Sequence, residues 1–142
     1  MVSPISEYTL LDHTADLAIQ VRGKDVKNLF ENAAKALTHI MLGGNTSGNT
    51  SSVNISLSGQ DLADLLVRWL GEILYLLEGE RLVVSASTIQ ILTAAELEAV
   101  VEVVPFDPEI HKILSEIKAV TYHQVEVADK GGRWEAKVTF DI

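Results

Sequence analysis

The sequence predicts an α+β fold in a single domain over residues 1–142: a mainly antiparallel, mixed β-sheet with two amphipathic helices packed on one face. Three observations carry that prediction. Two long segments in the first half place apolar residues at three- and four-residue spacing, which is the repeat of a helix with one buried stripe. From Leu82 onward the pattern changes to stretches of alternating or continuous apolar residues, as strands require. The turn sequence Asp129-Lys130-Gly131-Gly132 then joins the final two of these as an antiparallel hairpin.

In chain order, Leu17 to Arg22 alternates as a first strand. The segment Asp25 to Leu42 sets Val26, Leu29, Phe30, Ala33, Ala34, Leu37, Ile40 and Met41 on one face, with Lys27, Glu31, Asn32 and Lys35 opposite. Gly43-Gly44 closes this helix, and the run Asn45 to Ser52 reads as a mobile loop. Val53, Ile55 and Leu57 alternate as a short strand. Ser58-Gly59-Gln60-Asp61 predicts a capping box, followed by a broad apolar stripe from Leu62 to Leu77. Asp64, Arg68 and Glu72 form a complementary ladder that reads as a solvated face, and Gly79 ends the helix. Strands are expected at Leu82 to Leu92, with a bulge or bend near Ser87, at Leu97 to Phe106, at Ala119 to Val127, and from Trp134 to the end. Pro105-Phe106-Asp107-Pro108 interrupts the sheet, leaving a short helix or ordered loop over Glu109 to Ile117.

Composition excludes several chemistries. The chain has no cysteine, so disulfides, thiolate metal sites and thiol catalysis are absent, and any metal must take oxygen or imidazole ligands. A formal charge of −9 with no basic cluster argues against direct nucleic-acid binding. Neither a signal peptide nor a membrane-length apolar run is present, so a soluble cytoplasmic protein without membrane contact is expected. No phosphate-binding glycine loop, nucleophile elbow or zinc-protease motif occurs.

What chemistry remains is acidic. Asp12-His13-Thr14-Ala15-Asp16 crowds two carboxylates and an imidazole in front of the first strand, and Asp141-Ile142 ends the last one. Repulsion between such carboxylates is relieved by a metal ion, a basic partner or a raised pKa. Asp16 lies at a strand mouth where His13 and Thr14 can orient it, although a turn aspartate bonding its own backbone has the same sequence. Alternation puts Asp141 on the polar face, with Phe140 and Ile142 directed to the core; a merely solvated carboxylate is the plainer reading. In Lys118-Ala119-Val120-Thr121-Tyr122-His123, alternation sets Thr121 and His123 on the side of Val125 and Val127. His123 is then either a core histidine or a support for Asp16, and Lys118 a neutralising charge. His39 and His111 have no companions that suggest a role. A metal-dependent enzyme acting on a phosphate-containing substrate through Asp16, Asp141 and His123 lacks an evident nucleophile or base, and a chaperone-like protein-binding module is a further alternative.

Together, His13-Thr14-Ala15-Asp16, Leu29-Phe30-Glu31-Asn32-Ala33-Ala34, Trp69-Leu70-Gly71-Glu72-Ile73-Leu74-Tyr75-Leu76, Lys118 to His123 and Asp141-Ile142 resemble the archease family across nearly the whole chain. Ala18 departs from the glycine often found after the acidic motif. The resemblance implies a non-catalytic protein cofactor of an RtcB-type RNA ligase, the enzyme that joins 2′,3′-cyclic phosphate and 5′-hydroxyl ends in tRNA splicing and RNA repair. It implies that the protein promotes GTP-dependent guanylylation of that ligase and its multiple turnover. A divalent metal ion (calcium, magnesium or manganese) would be held by Asp16, Asp141 and the carboxylate of Ile142. His13, Thr14, Lys118 and His123 would be supporting or partner-facing.

Overall fold

A computed structural model describes residues 7–11 and 16–142. In chain order these form β1 (Tyr8–Leu11), β2 (Asp16–Gly23), α1 (Val26–Leu42), β3 (Ser51–Ser58), α2 (Leu62–Glu78), β4 (Leu82–Leu92), β5 (Glu96–Pro105), β6 (Ala119–Asp129) and β7 (Trp134–Asp141). The α+β class and both amphipathic helices are as the sequence predicts. The strands divide between two sheets, in the orders β1-β2-β7-β6 and β3-β5-β4, and every neighbouring pair is antiparallel. Each helix packs on both sheets, α1 against β2 and β4, α2 against β6, β4 and β3. One buried cluster therefore runs through the molecule, from Ile19, Val138 and Phe140 through Leu29, Phe30, Leu66 and Trp69 to Leu97 and Val101.

Local chemistry explains where the helices begin and end. Asp25 caps α1 by accepting a hydrogen bond from the Asn28 backbone N–H at 2.8 Å. Gly43 closes it at φ 75, a conformation that favours glycine, and its N–H reaches the His39 carbonyl at 2.8 Å. The cap of α2 is Asp61 and not Ser58: Asp61 Oδ1 accepts from the Asp64 N–H at 2.8 Å, while Asp64 Oδ2 accepts from the Gln60 N–H at 2.9 Å. Ser58 stays in β3, paired with Glu96. Gly79 ends α2 at φ −90, so positive φ is not its reason; a Cβ there would lie 2.5 Å from Cε1 of Tyr75. Arg81 takes the left-handed turn instead, at φ 56.

Across the core, the Trp69 indole N–H donates to the Phe30 carbonyl at 2.9 Å and ties α2 to α1. Two polar residues of α1 satisfy the free edge of β4: Glu31 accepts from the Ile89 N–H at 2.8 Å, and Lys27 donates to the Gln90 carbonyl at 2.9 Å. Register shifts in β4 fall between Val84 and Ala86 and between Ile89 and Ile91, on either side of the bend expected at Ser87. The segment between β5 and β6 is an ordered loop fastened by His111, which is 1% exposed. Its Nδ1 accepts from the Asp107 N–H at 2.9 Å and its Nε2 lies 2.8 Å from the Ser47 carbonyl. Asn45 also donates to the Ile110 carbonyl, so the loop that composition marks as mobile is held at Asn45 and Ser47.

Candidate functional site

Antiparallel pairing of β2 with β7 places Asp16 directly opposite Asp141, followed by Leu17 opposite Phe140. Directly opposed residues share a face of the sheet, with Cβ atoms about 5 Å apart. Ile19, Val21, Val138 and Phe140 fill the other face and are fully buried against the helices. The two carboxylates thus project together from the face turned away from the core, Asp16 half-buried and Asp141 exposed. Among the described residues neither side chain is engaged in an ion pair or a hydrogen bond. Two like charges so placed destabilise the pair of strands, and an oxygen-only donor set of this kind suits a hard cation. Among the described residues no group of three or more acidic or histidine side chains gathers into a complete cage. The pair fits a divalent ion in chemistry and in shared direction, and needs further oxygen ligands to complete it.

The other residues singled out by sequence distribute differently. His13 and Thr14 lie outside the described residues. Ile142 follows the last strand and is 44% exposed, so its side chain does not enter the core as alternation predicts, whereas Phe140 does. Lys118 is exposed, and its N–H donates to the Asp141 carbonyl at 2.8 Å; the next residue, Ala119, pairs with Asp141 from the side opposite Asp16.

For His123 the expected face is wrong. Thr121 pairs with Thr139 and Glu126 with Lys137, so residues 122–125 of β6 stand against Val138 alone and form an extended bulge. Thr121 consequently lies on the outer face with Thr139, while Val127 opposes the buried Ala136. Alternation cannot be carried through inserted residues, because each one inverts the facing of all that follow. His123 is exposed on the bulge rather than buried in the core, and its backbone N–H donates to Thr121 Oγ1 at 3.3 Å. Among the described residues its imidazole reaches neither aspartate.

One carboxylate escaped the sequence reading. Asp64, placed by its spacing on a solvated ladder, is only 9% exposed, and its carboxylate accepts from three donors. The Tyr122 hydroxyl donates at 2.7 Å, the Gln60 N–H at 2.9 Å, and Arg68 Nε lies 3.1 Å from each carboxylate oxygen. The Asp64 N–H completes the set by donating to Asp61. The Tyr122 bond, then the Gln60 amide and the Arg68 guanidinium, outweigh burial and hold the Asp64 carboxyl below its ordinary value. That same bond is the main reason the Tyr122 phenol is raised. The available signal was an aspartate in the first turn of a helix otherwise flanked by Leu62, Leu65 and Leu66. A separate concavity of about 470 Å³ lies between α1 and β4, lined by Glu31, Lys35, His39, Ser85 and Ser87 among others. His39, without a companion in the sequence, bonds there to the Tyr8 hydroxyl at 2.9 Å.

Residues 8–142 match the Archease protein family (MTH1598/TM1083). The archease of Methanosarcina acetivorans is 37% identical over 147 residues, with all of both chains covered. That of Archaeoglobus fulgidus is 34% identical over 140 residues, covering 96% of this chain and 99% of that protein. Among solved structures, the solution structure of Methanobacterium thermoautotrophicum protein 1598 superposes with a TM-score of 0.72 at 27% identity, covering 96% of this chain and 99% of that one. A Thermotoga maritima protein, named as an archease and possible chaperone, shares the fold with a TM-score of 0.63 at 22% identity, over 93% of this chain and 94% of that one. Sequence identity over whole chains, a family match that takes in every element from β1 to β7, and a common fold agree: this chain belongs to the archease family.

Proposed function

We propose that this protein is a cytoplasmic, non-catalytic activator of an RtcB-type tRNA-splicing and RNA-repair ligase, promoting GTP-dependent guanylylation of the ligase and its multiple turnover. The observation that carries this reading is the direct opposition of Asp16 and Asp141 on an exposed end of the sheet, without a basic side chain set against either among the described residues. Such a pair repels itself in the isolated protein and gains when positive charge is brought to it, which a ligase cleft containing metal ions and basic side chains supplies. Asp16 and Asp141, with the Ile142 carboxylate that the family arrangement adds, would hold a calcium, magnesium or manganese ion. When bound, that ion concentrates positive charge where the partner's phosphate-bearing groups approach. The protein's own residues orient the site: the β2–β7 ladder fixes Asp16 against Asp141, and the Lys118 N–H bond to the Asp141 carbonyl fixes β7 against β6. An overall charge of −9 disfavours RNA itself as the surface recognised.

The test is to combine this protein with its cognate ligase, GTP and a divalent metal, and to follow ligase guanylylation and repeated RNA joining. Asp16→Ala and Asp141→Ala are expected to remain folded, since both side chains are peripheral, and to lose stimulation. Full stimulation by both variants contradicts the proposal. Phosphate-ester turnover by the protein alone supports the enzyme alternative, and stimulation of unrelated proteins' folding that ignores Asp16 supports a chaperone.

A further inference from the structure

The free edge of β4 is closed by α1 at one level and left open at the next. At Ile89 it is closed: Glu31 Oε2 accepts the Ile89 N–H at 2.8 Å, and Lys27 Nζ donates to the Gln90 carbonyl at 2.9 Å. Residues two apart in an antiparallel strand turn their main-chain groups to the same side, and Ser87 to Ile89 is an unbroken stretch of register with Val101 to Ala99. The Ser87 N–H and carbonyl therefore face the same open edge as those of Ile89. Because α1 runs opposite to β4 here, one helical turn beyond Glu31, about 6 Å, matches two strand residues back from Ile89, about 7 Å. Lys35 then comes level with Ser87. An ammonium group cannot accept from an N–H, and among the described residues the Ser87 N–H has no acceptor.

Lys35 is itself unpaired. Its partner by i, i+4 spacing is Glu31, which the Ile89 N–H has drawn away, and no ion pair to Lys35 forms among the described residues. Thr38, on the same face, is 5% exposed and its hydroxyl makes no hydrogen bond among the described residues. No enclosed side-chain oxygen of those residues lacks a partner, so this hydroxyl opens onto the concavity that Thr38 lines. His39 lines the same space. Assigning the Tyr8 hydroxyl as donor to His39 Nδ1, at 2.9 Å, puts the ring proton on Nε2, which has no partner among the described residues. Four donors thus border one space of about 470 Å³. Glu31 is the one carboxylate among the described residues of its wall, and one of its oxygens is already held by the Ile89 N–H.

We infer that the concavity between α1 and β4 is a binding site for a small organic oxyanion, whose phosphate or carboxylate group is held by Lys35, Thr38, His39 and the Ser87 N–H. Unpartnered donors on a helix face and on the strand edge beside it suit an acceptor-only group, as Glu31 itself shows one level away at Ile89. The volume exceeds that of the anionic group alone, and the outward Ser87 carbonyl accepts from a hydroxyl on the rest of the molecule. The site uses none of the residues of the ligase-activator reading and stands independently of it.

The experiment titrates the full chain, labelled with nitrogen-15, with sodium phosphate, ribose 5-phosphate and succinate, each against sodium chloride at matched ionic strength. Amide shifts at Thr38, His39 and Ser87 are followed by NMR. Saturable shifts there beyond the chloride effect are expected with ribose 5-phosphate or succinate, the one that binds naming the anionic group. Lys35→Gln is expected to raise the Kd about tenfold and Thr38→Val about threefold, whereas Lys130→Gln, in the β6–β7 turn, leaves it unchanged. Lys35 and Lys130 are both exposed, so their variants keep the fold and remain informative if Thr38→Val does not. Shifts that only follow chloride, or a Kd unchanged by Lys35→Gln, overturn the site. Sodium phosphate binding as tightly as either organic anion overturns recognition of an organic ligand.

Discussion

Asp64 shows how one residue can tie the start of α2 to a distant strand. Its backbone N–H completes the Asp61 cap, one carboxylate oxygen holds the Gln60 amide ahead of α2, and the other holds β6 through Tyr122. The two bonds accepted by its carboxylate favour the ionised form, Tyr122 most, and so does Arg68. A carboxyl whose folded pKa lies below its unfolded value contributes stability that is fully present above the unfolded value and is lost as pH falls through the folded one. For Asp64 that loss lies below its ordinary value of 3.8. Thermal unfolding followed from neutral to acid pH is therefore expected to show a shallower fall in Tm below that point for Asp64→Asn than for the wild type. Parallel curves would show that Asp64 titrates no differently in the folded and unfolded chain. The i, i+4 spacing to Arg68 was legible in the sequence and the pair does form. What spacing along one helix cannot reveal is a hydroxyl arriving from Tyr122, a strand that the chain reaches only much later.

At the scale of elements, periodicity served wherever a ladder or helix runs without interruption. Both helices, the β4 and β5 strands and the β6–β7 hairpin lie where apolar spacing and turn residues place them. It failed at the β6 bulge, where Thr121-Tyr122-His123-Gln124 contains no glycine or proline to mark an inserted segment, and at β1, a four-residue strand that gains its identity from pairing with β2. Packing between the helices was legible as two apolar stripes, but not the specific bond from Trp69 to the Phe30 carbonyl, because a main-chain acceptor leaves no trace in residue type. Trp69 is fully buried, so Trp69→Phe removes that donor and leaves a space the neighbours fill only in part. The expected loss is about 2 kcal/mol, read as a fall in Tm of about 4–8 °C. A Tm within 1 °C of wild type, on the order of measurement error, would mean that the α1–α2 interface relaxes around the smaller ring.

For the molecule as a whole, the charge of −9 and the acidic pair at one end act together. The sequence showed acidic residues at a strand mouth and at the end of the last strand; that they face one another depends on the β2–β7 register, a long-range pairing that composition does not encode. General repulsion is relieved by any salt through screening, whereas the opposed carboxylates respond to an ion that both can hold. The two contributions separate in one measurement of Tm against added calcium, magnesium or manganese chloride, with sodium chloride at matched ionic strength as the comparison. An ion bound only by the folded chain stabilises it by about 2.7 kcal/mol at a hundredfold excess over Kd, equivalent to a rise of about 5–10 °C for a domain of this size. That rise should exceed the sodium effect in the wild-type protein and collapse to it in Asp16→Ala and Asp141→Ala. If the divalent salts do no more than sodium chloride, or if both variants retain the full rise, the acidic pair is not an ion site in the free protein. In the activator reading proposed above, its charge would then be matched by basic groups of the partner itself, so that stimulation would depend on Asp16 and Asp141 although this chain alone binds no cation there.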